Sequence, residues 1–116
     1  MTYTMVVMTD RPLREPTYFI LAALASGPAH GYLLMSSIEG LSNGRVKLRA
    51  GTLYGALDRL KRDGLIEHVA TDTADGPPRH SYQLTTSGRA RLADEVARLQ
   101  ANAEVGARML IDGAPA

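Results

Sequence analysis

Between positions 43 and 62 the chain carries Arg45, Lys47, Arg49, Arg59, Lys61 and Arg62 against one acid, Asp58, a local excess of +5. The flanking segments lean the other way. Residues 1–42 sum to −1, with Arg11 and Arg14 against Asp10, Glu15 and Glu39, and residues 63–116 to −3, with five arginines against eight acids. An overall net charge of +1 therefore conceals a focused positive stretch. Guanidinium and ammonium groups gathered in this way bind anions, and the regularly spaced phosphates of a nucleic acid are the anion that such an array suits.

Other chemistries lack their residues. The absence of cysteine from the 116 residues removes disulfides, thiolate metal sites and cysteine nucleophiles together, and suits a reducing cytoplasm. His30, directly before Gly31, fits a helix start or a packing position, and His68 and His80 fit a pair facing across a hairpin. Two histidines without a carboxylate or third ligand make a poor metal site, so no metal and no cofactor is expected. Ser36, Ser37 and Ser87 lack an evident base and orienting acid, and no glycine-rich phosphate loop occurs, so no catalytic residue is assigned and an enzyme is not expected. The apolar runs "MVVM" and "YFILAALA" are too short to span a bilayer, and no basic n-region precedes a cleavage site. The expectation is a cytoplasmic protein with no membrane partner.

The elements that must position the basic stretch follow from periodicity. Residues 1–12 form an extension with no helical period. "PTYFILAALASGP" opens with a proline suited to a first helical turn and stops at Gly27-Pro28. "YLLMSSIEGL" repeats Leu33, Leu34, Ile38 and Leu41 at helical spacing before "SNG" breaks the pattern. "RVKLR" alternates charged and apolar residues, which predicts a short strand. "GTLYGALDRLKRD" returns to a helix with Leu53, Ala56, Leu57 and Leu60 on one side, Gly51, Gly55, Asp58, Arg59 and Arg62 on the other, and Tyr54 and Lys61 flanking. Gly64 suits its C-terminal stop.

"LIEHVAT" and "RHSYQLT" then read as strands joined by the turn-rich "DTADGPP", a hairpin with a projecting loop. From Thr85, a suitable N-cap, the chain continues as a helix of some 25 residues interrupted only by Gly106. Leu92, Val96, Leu99, Ala103, Gly106 and Leu110 step along it by four and three, the seam of a packed helix pair. A helix of this length outruns a domain of this size, which points to pairing with a second copy; core packing within one chain is the other reading.

The order helix, helix, short strand, helix, hairpin, long helix describes a mainly α fold with a small β-hairpin (α+β): a winged helix-turn-helix domain over residues 13–85, then a dimerisation helix over 86–113. In that fold the third helix enters the major groove and the hairpin touches the flanking backbone.

The segments "LREPTYFILAALASGPAHGY", "LRAGTLYGALDRLKRDGLI" and "PPRHSYQLTTSGR" resemble the first two helices, the recognition helix and the wing strand of the PadR-like transcriptional regulators, over positions 13 to 100. The resemblance implies a homodimeric repressor of an inverted-repeat operator, paired through its C-terminal helix, with a small-molecule effector that lowers operator affinity. It also implies contacts to double-stranded DNA from Thr52, Tyr54, Arg59 and Arg79, beside Arg49 and Arg62 of the basic stretch. The dimer interface falls to Leu92, Val96, Leu99, Ala103 and Leu110. The sequence departs from the pattern at the wing, where His80 and Ser81 follow Arg79 in place of a base and a tyrosine, and where the loop adds Asp72 and Asp75. It departs again in the C-terminal helix, which has no aromatic residue to hold a planar drug.

Two alternatives stay open on these residues. The basic face read as a DNA contact has as its rivals the solvated side of an amphipathic helix and a winged-helix module binding an acidic partner protein. Tyr54 fits half-buried packing as well as a DNA contact.

Overall fold

The computed structural model describes residues 11–72, 76 and 79–113. Four helices and a three-stranded antiparallel sheet follow in the order α1 (Glu15–Ala25), β1 (Ala29–His30), α2 (Gly31–Leu41), α3 (Ala50–Arg62), β2 (Ile66–Asp72), β3 (Arg79–Leu84) and α4 (Thr86–Asp112). The N-terminal extension lies almost wholly outside the described residues.

Each helix begins and ends for a local reason. Pro16 occupies the first turn of α1, where a missing N–H breaks no intrahelical bond. At the other end of α1 the Arg89 guanidinium, arriving from α4, donates to the Ala25 carbonyl at 3.2 Å and sets a positive charge at the negative pole of the helix. His30 caps α2, its Nδ1 accepting from the Leu33 N–H at 3.2 Å, so the histidine serves as a helix start. Thr85 caps α4 by accepting from the Gly88 N–H at 3.0 Å.

Leu53, Ala56, Leu57 and Leu60 of α3 are buried against Ile20, Leu21 and Leu24 of α1, Leu34 and Ile38 of α2, and Ile66 and Tyr82 of the sheet. The apolar stripe read from the sequence of α3 is therefore the wall of the core, which leaves its opposite side free.

The sheet corrects one expectation. Residues 45–49 form no strand. β3 lies at the centre of the sheet with β2 on one side and, on the other, the two-residue β1, paired as Ala29↔Tyr82 and His30↔Ser81. Both edges of β3 are thus occupied, and the alternation of "RVKLR" has another cause: Val46 is buried and Leu48 packs against the core while Arg45, Lys47 and Arg49, which alternate with them, are exposed. Ser42, itself buried, fastens this segment by accepting from the Val46 N–H at 2.9 Å.

The hairpin is tied to the last helix by a tight elbow. Gly64 adopts φ +77 to turn the chain out of α3. Thr85 Oγ1 then donates to the Gly64 carbonyl at 2.6 Å and the Thr85 N–H to the Leu65 carbonyl at 3.1 Å. Gly88 passes so close that a Cβ there would fall 1.9 Å from the Leu65 oxygen. Beyond this elbow α4 leaves the body of the protein: Leu92 and Glu95 are buried and Val96 half-buried, but every residue from Leu99 to Gly113 is exposed.

Candidate nucleic-acid interface

The outward side of α3 presents Gly51, Thr52, Asp58, Arg59, Lys61 and Arg62, all exposed, with Tyr54, also exposed, at its margin. Arg49 stands exposed at the N-cap, where its side chain makes no capping bond. The Arg59 guanidinium folds back along the helix until Nη1 lies 3.8 Å from where a Gly55 Cβ would be, an ordinary contact distance. Arg59, Lys61 and Arg62 also occupy the last turn, where they oppose the negative end of the helix. Arg79 opens β3, exposed and in register with Asp72. Asp75 lies outside the described residues.

The positive stretch is less uniform in space than in sequence. Arg45 pairs with Glu15 of α1 at 2.8 Å, both partly exposed, and so faces α1 instead of the open side of α3. A surface pair of this kind contributes only about 0–1 kcal/mol, but it does cancel one cation locally.

Tyr54 has a structural part that the sequence did not disclose. Its ring lies over Gly31 at the start of α2, so close that a side chain there would displace it. Beneath it Tyr82 of β3 is buried; desolvation first, then the Asp58 carboxylate and Tyr54, push its phenol above the ordinary tyrosine range. His68 and His80 do face each other across the hairpin, with ring centroids 5.3 Å apart. Among the described residues, no cluster of three or more histidines and carboxylates is placed to hold a metal ion.

The residues assigned to the α4 seam divide into two groups. Leu92 packs in the core of its own chain and Val96 packs against that core, whereas Leu99, Ala103 and Leu110 are exposed. Between the first two sits Glu95, which sequence reasoning passed over. It is 2 % exposed, receives the Arg98 Nε at 3.1 Å and lies 3.8 Å from Arg91. The Arg98 hydrogen bonds hold its carboxyl below the usual range, against the opposing effect of burial, with further help from the Leu13 backbone and the charges of Arg98 and Arg91. Its signal was legible as arginines four residues before and three after an acid on the apolar side of a helix.

No helix among the described residues is long and apolar enough to cross a membrane.

Comparison with known proteins agrees with this architecture. The model of the "Transcriptional regulator PadR-like family" matches residues 20–94. A 37.1 kDa protein of transposon TN4556 from Streptomyces fradiae is 40% identical over 76 residues, 66% of this chain, and the match spans only 20% of that protein's length. A PadR-like transcription factor from Bacteroides fragilis is 30% identical with a TM-score of 0.68, the match covering 80% of this chain and 87% of the other. Bacillus subtilis PadR, solved in complex with operator DNA, is 26% identical with a TM-score of 0.64, over 72% of this chain and 47% of that one. With its family match running from within α1 into α4 and its helices and sheet shared with solved members, the chain belongs to the PadR-like family of transcriptional regulators.

Proposed function

We propose that this regulator binds double-stranded DNA with α3 in the major groove and the hairpin against the flanking backbone, as a homodimer paired through α4. On this reading it is a cytoplasmic repressor that acts at an inverted-repeat operator until a small effector lowers its affinity. The observation that carries the proposal is the open side of α3, where Thr52, Tyr54, Arg59 and Arg62 stand clear of the core, flanked by Arg49 and, on the adjoining hairpin, Arg79. Bacillus subtilis PadR, which shares this fold, was solved in complex with operator DNA, and that supports DNA as the ligand. Residues 13–85 then serve as the DNA-binding unit and 86–113 as the dimerisation helix.

Pairing is supported by what α4 leaves uncovered. Leu99, Val105, Met109, Leu110 and Ile111 are all exposed on a projecting helix that no other described element covers. At about 25 cal/mol per Å² of apolar surface, covering such a stretch with a second copy gains several kcal/mol. An effector would find a cleft of about 280 Å³ between α1 and α4, lined by Leu13, Tyr18, Phe19 and Leu99 with the Glu95 and Arg98 charges at its wall.

The test is geometric. Duplexes selected from a random pool should carry an inverted repeat with half-sites about one helical turn, ~34 Å, apart or a multiple of it. Inserting roughly 5 base pairs, half a turn, between the half-sites should cripple binding. Salt-resistant binding to an acidic protein, with no preference among duplexes, would sink the proposal.

A further inference from the structure

The inner side of the hairpin carries a polar cluster distinct from the open side of α3. His68 and Thr71 are three residues apart on β2, and strict alternation would send them to opposite faces. The irregularity between His68 and Ala70 inserts one residue and returns them to the same face, His68 opposite Tyr82 and Thr71 opposite His80. In consequence Thr71 Oγ1 lies 2.8 Å from His68 Nε2 and 3.1 Å from His80 Nδ1, and the two nitrogens are 3.4 Å apart. All three side chains are exposed. The histidines share a cleft with Lys61 and Asp58 of α3 and with Tyr82 of β3.

Proton counting shows what this arrangement can hold. One hydroxyl has one proton, so the neutral cluster needs one inward nitrogen that carries hydrogen and one that is bare. The ring with the bare inward nitrogen is protonated on its outer one, and the other ring presents an outer lone pair. His68 Nδ1 and His80 Nε2, the outer nitrogens, bond to none of the described residues. A single added proton converts the outer lone pair into a second donor, gives the cluster a positive charge and leaves the inner bonds to Thr71 undisturbed. Two outward donors on a cation beside the Lys61 ammonium form an anion site; the neutral cluster, with a lone pair facing out, does not.

We infer that His68, Thr71 and His80 form a proton-gated site for a backbone phosphate diester of the duplex, with Lys61 as its fixed cation. The inference rests on the docking proposed above. A helix in the major groove and a hairpin beside it must straddle the sugar-phosphate strand at the edge of that groove, and this cleft is the gap between α3 and the hairpin. The Asp58 carboxylate in the cleft repels a phosphate, and the Lys61 ammonium beside it offsets that charge. Tyr82 contributes a neutral phenol. On the neighbouring positions Glu67 receives Gln83 at 2.7 Å, and Arg79 is in register with Asp72.

Anisotropy titrations of the full chain on a labelled duplex of scrambled sequence, at constant salt from pH 5.5 to 8.5, provide the test. Because the bound state holds more protons than the free state, affinity should rise as pH falls across this span, by up to about tenfold per pH unit for one proton. His68→Gln and His80→Gln should flatten this profile. Lys61→Gln should lower affinity at every pH and keep the slope. Thermal melts of each variant at both extremes of pH separate impaired binding from impaired folding. A flat wild-type profile, or a wild-type slope in the double histidine variant, overturns the site and leaves the docking intact; absence of duplex binding at any pH overturns both.

Discussion

A Cβ added to Gly31 would lie 2.6 Å from the Tyr54 Oη and 2.7 Å from its Cε1, so a side chain on the first residue of α2 and the present position of the α3 tyrosine exclude one another. The tyrosine ring is the movable partner, being a side chain with an open margin. Gly31→Ala should therefore displace Tyr54 more than it unfolds the protein, costing about 1 kcal/mol of stability or less. If Tyr54 touches the duplex, Gly31→Ala and Tyr54→Ala should each weaken operator binding and their effects should not add. A double-mutant cycle in a binding assay decides; strict additivity would separate the contact from the function.

Gly88 offers the contrasting case, because the atom it would strike is main chain. A methyl group 1.9 Å from the Leu65 carbonyl oxygen cannot be relieved by a rotamer change. Gly88→Ala should destabilise the domain by about 1–3 kcal/mol or more, read as a lower midpoint in urea unfolding. A variant as stable as the wild type would show that the elbow opens freely.

Glu95 predicts an acid limb of stability. Its carboxyl is held low in the folded chain, chiefly by the Arg98 hydrogen bonds, so the unfolded chain binds the proton more readily. The contribution is complete above the ordinary carboxylate range and is lost as pH falls through the depressed value. Glu95→Gln should lower stability at neutral pH by about 1–3 kcal/mol, and the gap to the wild type should close progressively on acidification below about pH 4. Parallel urea curves at pH 7 and pH 3 provide the check, and a constant gap would contradict the assignment.

Helix and hairpin should contribute differently to binding. Removing one cation from a phosphate should reduce the slope of log affinity against log salt by about 0.9, whereas removing a bidentate hydrogen bond to a base should cost ~1–3 kcal/mol at one base pair. Arg59→Ala should remove preference for operator over scrambled duplex, while Arg79→Ala should weaken both alike. Salt titrations of the two variants on both duplexes measure this. The reverse pattern would move sequence readout from α3 to the hairpin.

The exposed end of α4 makes the assembly state sensitive to single charges. Leu99→Asp with Leu110→Asp should yield monomers in equilibrium sedimentation and weaken DNA binding at least tenfold, since Leu110 and Leu99 are 78% and 41% exposed and carry no role in the chain's own core. A wild-type monomer at micromolar concentration would remove the basis for a two-fold operator.

What the sequence disclosed and what it withheld divide along the range of the interactions. The face of α3 was legible because Leu53, Ala56, Leu57 and Leu60 are buried with the period of the helix itself. The missing strand at Arg45–Arg49 was not, because alternation records which residues meet the core and says nothing of the hydrogen-bonding partner; β1, two residues long, leaves no pattern to read. The seam of α4 shows the same limit. Leu92 and Leu99 occupy equivalent places in the repeat, yet one is 8% exposed and the other 41%, a difference that depends on where α1 ends. Tyr54 was left between packing and contact because Gly31, more than twenty residues away, decides how it stands.

The Thr85 elbow gives the molecule a lever. Twenty-seven residues of α4 make a rod of about 40 Å, whose direction is set by the elbow beyond α3. A tilt of about 5° there would sweep the far end through roughly 3.5 Å, close to one step of the duplex ladder. The hydroxyl that grips both Gly64 and Gly88 would then act as a ruler, fixing which half-site separations a dimer accepts. Thr85→Val keeps the branched shape and releases both grips, and should broaden the range of tolerated separations with little change in affinity for an isolated half-site; an unchanged range would place the ruler elsewhere.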